Sequence, residues 1–563
     1  MEKNYSMLKL SNLLIFFFST ILCFGQYEKL DGYFLFPIKS GEQGSLAGTF
    51  AELRGNHFHS GIDIRTNSEV NIPVNAAAEG YISRINVSEV GFGKAIYIQH
   101  PNGYTTVYAH LNKFSEKIEQ YVRKAQYAKK SFTLKLFPKS NELPVNIGDL
   151  IAYSGNTGGS QAPHLHFEIR NNKSEPVNPL FANFKELKDT IAPKITTLTI
   201  SPYGKESSAN GSNTTSILPI KDTFNSNTLK EPIPVLGTLG LGIEVYDNNN
   251  GANNLNGVNK IIMYVDGEKP YQYGVDKFSF AQSKYVKTHL TYDAYKLNHI
   301  VAHRCYKQES NILPFYSTIG NGRINVNSGE KKHVRIEAYD YYNNKSSIEF
   351  TLLGSNEVLE KLITLPHHSA DAAFIEKGTS KTFKTDSCQI YFSTKSLFES
   401  MYLELNHVSD TFDLQMNTAP LKGKITIGLK PNTPSQLRDK TKVYSYNKKK
   451  NSFYNEGGSW NGDFIEFNTK SFDQYLCLTD TVKPTFSKPT IQKNSFTLKV
   501  EDNLSGIAKY KATLNGTWVL LEYYPNDDLL QVLTLNNAPI KGELVIDAWD
   551  DVNNRNTYKH TIK

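Results

Sequence analysis

Cysteine is scarce in this chain: four residues in 563. Cys23, Cys305, Cys388 and Cys477 are scattered and none falls in a CxxC spacing, which excludes a disulfide framework and a thiolate metal site. One bridge among the last three would leave one thiol over. Methionine is also rare, at 5 residues. Beyond the N-terminal stretch no apolar run is long enough to cross a bilayer. A long cationic run is missing too. The net charge of +7 is spread along the chain, so nucleic acid is not indicated, and an anionic polymer is the better match.

What is abundant points to β structure. Tyr (33) and Phe (31) are frequent, and such residues favour strands. A hydrophobic fraction of 39% and a mean hydropathy of −0.43 suit soluble globular domains. The length calls for roughly three or four of them. The N-terminus reads as a secretory signal over 1–25. Lys3 and Lys9 precede an apolar run from Leu13 to Phe24, and Gly25-Gln26 follows as a cleavage point. Secretion across the inner membrane follows, with no transmembrane segment after cleavage. Leu22 is too large for a good lipidation site at Cys23.

The expected fold class is all-β. Residues 27–185 alternate at period 2 in Lys94–Gln99, Tyr104–His110 and His164–Arg170, with Gly and Asn turns between. An excursion at about 115–146 interrupts the pattern, and Glu116–Gln126 within it has helical character. After Leu180 the text repeats itself. Asp189-Thr-Ile-Ala-Pro returns as Asp480-Thr-Val-Lys-Pro, Ile243–Asp247 parallels Leu498–Asp502, and Ile336–Lys345 parallels Ile546–Arg555. These repeats predict β-sandwich (Ig/fibronectin-like) units at 190–354, expanded by an insertion, and at 481–563. A separate β domain is expected at 355–479. Asp247-Asn-Asn-Asn-Gly251 has its Gly too early for an EF-hand loop and reads as an Asn-rich turn. His367-His368 reads as a solvated pair.

The chemistry concentrates in four short fragments: His59-Ser-Gly-Ile-Asp63, Tyr108-Ala-His-Leu111, Ser154-Gly-Asn-Thr-Gly158 and His164-Leu-His166. The first and last can supply His, Asp and His ligands to one zinc ion, with a position left for water. On a straight strand His59 and Asp63 would lie roughly 13 Å apart. A shared ion therefore requires a bend at Ser60-Gly61. His164, His166 and Glu168 project to one side of a strand, with Leu165, Phe167 and Ile169 on the other. One imidazole of such a pair can bind metal while the other contacts water or an oxyanion. His110 is expected on a strand with Tyr108 on its own face. His57 is read as a neighbour of the site.

These blocks, with Pro73–Tyr81, Gly93–His100 and Val145–Asp149, resemble the M23 (LytM-type, lysostaphin-like) zinc endopeptidases that cut peptidoglycan cross-links. The resemblance covers about 50–180. It implies an M23-type antiparallel β domain, with His59, Asp63 and His166 as ligands of Zn2+ and His110 and His164 as the catalytic pair. None of the five is substituted, unlike degenerate members that only activate other hydrolases. The stretch between His110 and Val145 is longer than the family link, and three roles stay open for it: narrowing the groove, binding a partner or holding the enzyme inactive. The arrangement with β modules behind looks like Bacteroidetes-type envelope proteins. The implied substrate is the peptide stems of peptidoglycan, and the implied location is the periplasm or the outer membrane. Envelope proteins are candidate partners of the C-terminal β domains. Two alternatives remain on the sequence: a non-catalytic peptidoglycan-binding or hydrolase-activating envelope protein, and a peptidase acting on a protein.

Overall fold

The computed structural model describes residues 30–39, 41–221, 226–356, 372–492 and 495–563. The expected signal segment, Cys23 and His367-His368 lie outside these residues. Strand dominates. The N-terminal unit is organised by one antiparallel sheet of β1 (Leu46–Gly48), β2 (Ile62–Arg65), β3 (Gly80–Val87), β4 (Lys94–Gln99), β5 (Thr105–Leu111), β6 (Leu134–Leu136) and β7 (His164–Arg170). Their order in space is β1-β2-β7-β5-β4-β3-β6. The period-2 alternation drives this. Leu165, Phe167 and Ile169 of β7 are fully buried with Ile62, Ile64 and Tyr108 in the main core. The opposite face of β7 is left to His164, His166 and Glu168. A small sheet of Pro73–Asn75, Lys113–Phe114 and Leu150–Tyr153 completes the unit.

The excursion contains α1 (Glu116–Lys129), which begins with Glu116 and Glu119 in its first turn and ends at Lys130 in the left-handed region. Acidic residues at the start favour the positive end of the helix dipole. Ile118, Val122 and Gln126 face inward, and Glu119 pairs with Arg123 at 2.6 Å. The helix also has an outer partner. Tyr127 donates to the Leu533 carbonyl at 2.8 Å and packs edge-on against Trp518. The excursion is therefore a platform for the C-terminal strands.

Behind the N-terminal unit, an eleven-stranded sheet runs between Lys194 and Gly354. Three short helices, Phe280–Ser283, Val286–His289 and Tyr292–Asn298, are inserted in it. Two five-stranded sheets between Lys381 and Thr479 share a core containing Ile390, Phe412, Ile427 and Tyr475. An eight-stranded group spans Thr485 to Ile562. Cys305, Cys388 and Cys477 are free thiols, so the one bridge the sequence allowed is not formed.

The units share cores. Phe50 and Phe58 of the N-terminal unit belong to the cluster built on Leu198, Leu241 and Ile336, and Leu520 belongs to the N-terminal cluster. A buried ion pair, Lys94 Nζ to Glu522 Oε1 at 2.5 Å, joins β4 to the C-terminal strands. Asn526 Nδ2 donates to the carbonyls of Asn156 (3.2 Å) and Ser160 (3.0 Å). Removing one partner of a buried pair strands the other charge, which costs about 3–5 kcal/mol. Glu522→Ala is expected to loosen this junction by that amount. Hydrogen exchange should then accelerate at the amides of 156–160 and 520–524, and unchanged protection there would refute the role.

Candidate metal centre and its surroundings

The site is assembled by register. In the β2–β7 pairing His166 stands opposite Asp63, and in the β7–β5 pairing it stands opposite Ala109. His59 lies just before β2, where its backbone N–H donates to the Glu52 carbonyl at 3.0 Å. The bend the spacing demanded is present. Gly61 serves it by close approach, since a Cβ there would sit 2.3 Å from the Phe167 carbonyl oxygen. Gly48 plays a matching part: a Cβ would lie 2.7 Å from Asp63 Oδ2.

Three ligand atoms converge. His59 Nε2 is 3.1 Å from Asp63 Oδ1 and 3.1 Å from His166 Nδ1, and His166 Nδ1 is 2.8 Å from Asp63 Oδ1. All three residues are buried. Outer partners fix the ring nitrogens. His59 Nδ1 is 2.7 Å from the Thr49 carbonyl oxygen, and His166 Nε2 is 3.0 Å from Glu168 Oε1. These contacts place protons on the outward nitrogens, so the inward ones present lone pairs. Two lone pairs and a carboxylate aimed at one point need a positive charge between them. The charge balance shows the same demand. Burial would lower His166, but the Asp63 and Glu168 carboxylates outweigh it and raise the imidazole to about 9. Burial would raise Asp63, but His59 and the hydrogen bonds from His164, His166 and His59 hold it well below the usual range. The donor set and its spacing fit a small divalent cation with N and O preference.

His110 and His164 stand beside this cluster, with ring centroids 4.9 Å apart, and His110 is 5.9 Å from His166. His110 Nδ1 is 2.8 Å from the Thr157 carbonyl oxygen, which leaves its Nε2 to face a reactant; His164 Nδ1 is 2.8 Å from the Ala162 carbonyl oxygen, and its Nε2 lies 3.4 Å from Asp63 Oδ1. Burial, then His166 and His164, push His110 down to about 3. All five sequence-predicted residues are thus brought together. His57 is exposed and bonded to Asn56, apart from the cluster.

One expectation is overturned. Tyr108 does not share a face with His110. Tyr108 packs on Phe167 in the core and its hydroxyl accepts from the Ala77 N–H at 2.8 Å. Simple alternation would send His110 into the core as well. His110 instead adopts φ 58°, at an irregularity in the β4–β5 register, and joins the opposite face. Left-handed backbone at a non-glycine residue is strained, and such strain collects at functional sites.

Sequence reasoning also missed Glu168 as an anchor. It is fully buried, accepts from Ser60 Oγ at 2.5 Å and Arg170 Nε at 2.5 Å, and contacts His166. Burial opposes its ionisation, but Arg170 and His166 bring it down to about 2. Its shared parity with His166 was the available signal. Arg54 was missed as well, and nothing in the spacing marked it. Its Nη2 lies 3.6 Å from Asp63 Oδ2. Arg54 also lines a groove of about 1000 Å3 with Lys284, Lys287, Lys422 and Lys449, in which Asp473 is the one acidic lining residue. Burial, then Lys470 and Lys296, lower Lys287 to about 8.

Residues 57–130 and 134–179 match the model of Peptidase family M23. The N-terminal unit thus carries the match to that family. Residues 372–480 match a Zu5-like domain. The DD-carboxypeptidase/endopeptidase Mpg of Neisseria meningitidis is 35% identical over 122 residues, 22% of this chain and 22% of that protein. Lysostaphin of Staphylococcus simulans is 31% identical over 111 residues, 20% of this chain and 17% of that protein. The chain therefore spans about a fifth of the curated relatives it matches. A zinc-containing peptidase from Vibrio cholerae aligns at 24% identity over 27% of this chain and 40% of that one, with a TM-score of 0.20.

Carboxylates that orient a metal-bound histidine typically contribute 10- to 100-fold to metal affinity. Glu168→Gln keeps the shape and removes the charge. Zinc titration of the folded variant is expected to show that loss, and wild-type affinity would remove Glu168 from the site.

Proposed function

We propose that this chain is a secreted zinc-dependent endopeptidase that hydrolyses the peptide cross-bridges of peptidoglycan, working in the periplasm or at the outer membrane. The observation that carries the reading is the convergence of His59 Nε2, Asp63 Oδ1 and His166 Nδ1, with His110 and His164 alongside. Zinc held by those three residues would supply Lewis acidity to the scissile carbonyl and acidify a water. The chain's own groups do the rest. His110, its Nδ1 tied to Thr157, offers Nε2 to take the proton of the attacking water. His164, its Nδ1 tied to Ala162 and its Nε2 beside Asp63, would donate from Nε2 to the developing oxyanion in its doubly protonated form. Phe92 packs against His110 and His166 and keeps that face dry.

The curated names support the choice of bond and polymer: an endopeptidase and a lysostaphin lie among the relatives. The basic groove beside Arg54 supports an anionic polymer, because stem peptides carry free carboxylates. Digestion of purified sacculi with zinc is expected to release muropeptides with cleaved bridges. Chelator, His166→Ala and His110→Ala should each abolish release. Full activity in His166→Ala would end the catalytic reading, and retention on sacculi without cleavage would favour a binding protein. Cleavage of a protein with intact sacculi would favour a protein substrate.

The groove makes a separate prediction. Lys284→Gln, Lys448→Gln and Lys449→Gln together remove three exposed cations from its lining. KM for sacculi is expected to rise several-fold with kcat little changed, and the salt dependence of KM should flatten. A fall in kcat at constant KM would place the groove outside substrate binding.

A further inference from the structure

A second buried acidic group lies where the first sandwich meets the N-terminal unit. Asp189, Asp247 and Asp340 bring one carboxylate oxygen each within 4.8 Å of one another, and all three are buried. Among the described residues no lysine, arginine or histidine forms an ion pair with them. Two of the three are satisfied by neutral donors. Asp340 accepts from the Asn344 backbone N–H and from Asn344 Nδ2, both at 2.7 Å. Asp189 accepts from the Ile191 N–H at 3.1 Å and from Asn249 Nδ2 at 2.7 Å.

Asp247 is different. It is 2% exposed, and its Oδ1 has no hydrogen-bond partner. Asn256, paired with Asp247 through both backbone groups, is fully buried and its Oδ1 is orphaned too. A cavity of about 20 Å3 bordered by Asp247, Asn249 and Asp340 has room for one water-sized body. Burial and the other two carboxylates push Asp247 up to about 8. An unpaired buried acceptor among like charges is costly, and a cation removes the cost.

The C-terminal unit repeats the construction with a more exposed middle carboxylate. Asp480, Asp502 and Asp550 form an equivalent group. Asn554 Nδ2 donates to Asp550 at 2.7 Å and to the Asp480 carbonyl at 3.1 Å, as Asn344 Nδ2 does to Asp340 and the Asp189 carbonyl at 2.7 and 3.1 Å. There Asp502 Oδ2 accepts from the N–H groups of Leu504 (3.1 Å) and Gly506 (2.8 Å), while its Oδ1, like that of Asp247, has no partner. In the first unit the Asn-rich turn after Asp247 brings Asn249, whose Nδ2 donates to Asp189 and whose Oδ1 accepts from Asn256 Nδ2 at 2.8 Å.

We propose that Asp189, Asp247 and Asp340 bind one oxygen-seeking divalent cation of the calcium class, tying the linker at Asp189 to the first sandwich. Calcium takes about six to eight oxygen ligands in a flexible geometry, which suits carboxylates and amide oxygens drawn from separate segments better than the strict octahedron of magnesium. The donors come from three separate segments, so no EF-hand loop is involved. With only oxygen donors, the site differs from the His-Asp-His centre.

Calcium chloride titrated into the chelator-stripped full chain is expected to give a saturable heat and to raise Tm. The same response should persist in His166→Ala, which separates it from the first centre. Asp247→Asn, which neutralises the orphaned group without changing its shape, is expected to remove one binding event and the Tm rise while folding at least as stably without calcium. Asp340→Ser provides a second variant with the same expected loss of binding. No heat and no Tm change up to about 10 mM calcium, or binding by both variants equal to wild type, would overturn the proposal.

Discussion

The cross-strand pairing that sets His166 opposite Asp63 is the constraint on which the site depends. It forces three acceptor atoms within about 3 Å of one another, an arrangement that is unfavourable without positive charge between them. The backbone makes way for it twice. Gly48 leaves space for the Asp63 carboxylate, and Gly61 lets the chain before β2 lie against β7. A register slip of one residue would turn His164, His166 and Glu168 into the core and expose Leu165 and Phe167. The large apolar side of β7 therefore protects the chemical side: the same strand that buries Phe167 holds His166 in place.

Around that centre, orientation comes largely from backbone carbonyls. Thr49 holds His59, Thr157 holds His110 and Ala162 holds His164. Two of those carbonyls lie on the turn between Gly155 and His164, a segment with short, glycine-rich links and little regular structure. Loops of that kind open easily unless something braces them. Here the brace is remote in sequence, because Asn526 binds two carbonyls of this turn and Glu522 pairs with Lys94 at its flank. The excursion at 115–146 fits the same logic: its helix gives the C-terminal strands a surface on which to dock.

Local patterns made part of this legible. His164, His166 and Glu168 share a face because strands have period 2, and that parity can be read directly. The spacing of His59 and Asp63 demanded a bend, and Gly61 marked where. His110 was beyond the same rule, since a single left-handed residue reverses alternation and nothing in Tyr-Ala-His-Leu announces it. The docking of Tyr127 on Leu533 was also beyond it, because contacts across some 400 residues leave no local trace. The repeated Asp and Asn-Asn turns were visible as strand ends, yet their convergence depends on which strands become neighbours. Asp189, Asp247 and Asp340 meet only once the linker folds back along the sandwich.

The family match covers only the N-terminal domain, so selectivity has to be sought in what surrounds it. The groove beside Arg54 is walled by helices inserted in the first sandwich, which supply Lys284 and Lys287, and by the following β unit, which supplies Lys422 and Lys449. An M23 domain by itself would contribute the cation at Arg54 and little more to that wall. Eight lysine or arginine side chains line this one channel, and burial first, then Lys470 and Lys296, lower Lys287 within it, beside the candidate metal centre. The modules behind the N-terminal unit therefore build most of this basic wall, and the contacts that hold them against that unit shape the groove as well as stabilising the junction.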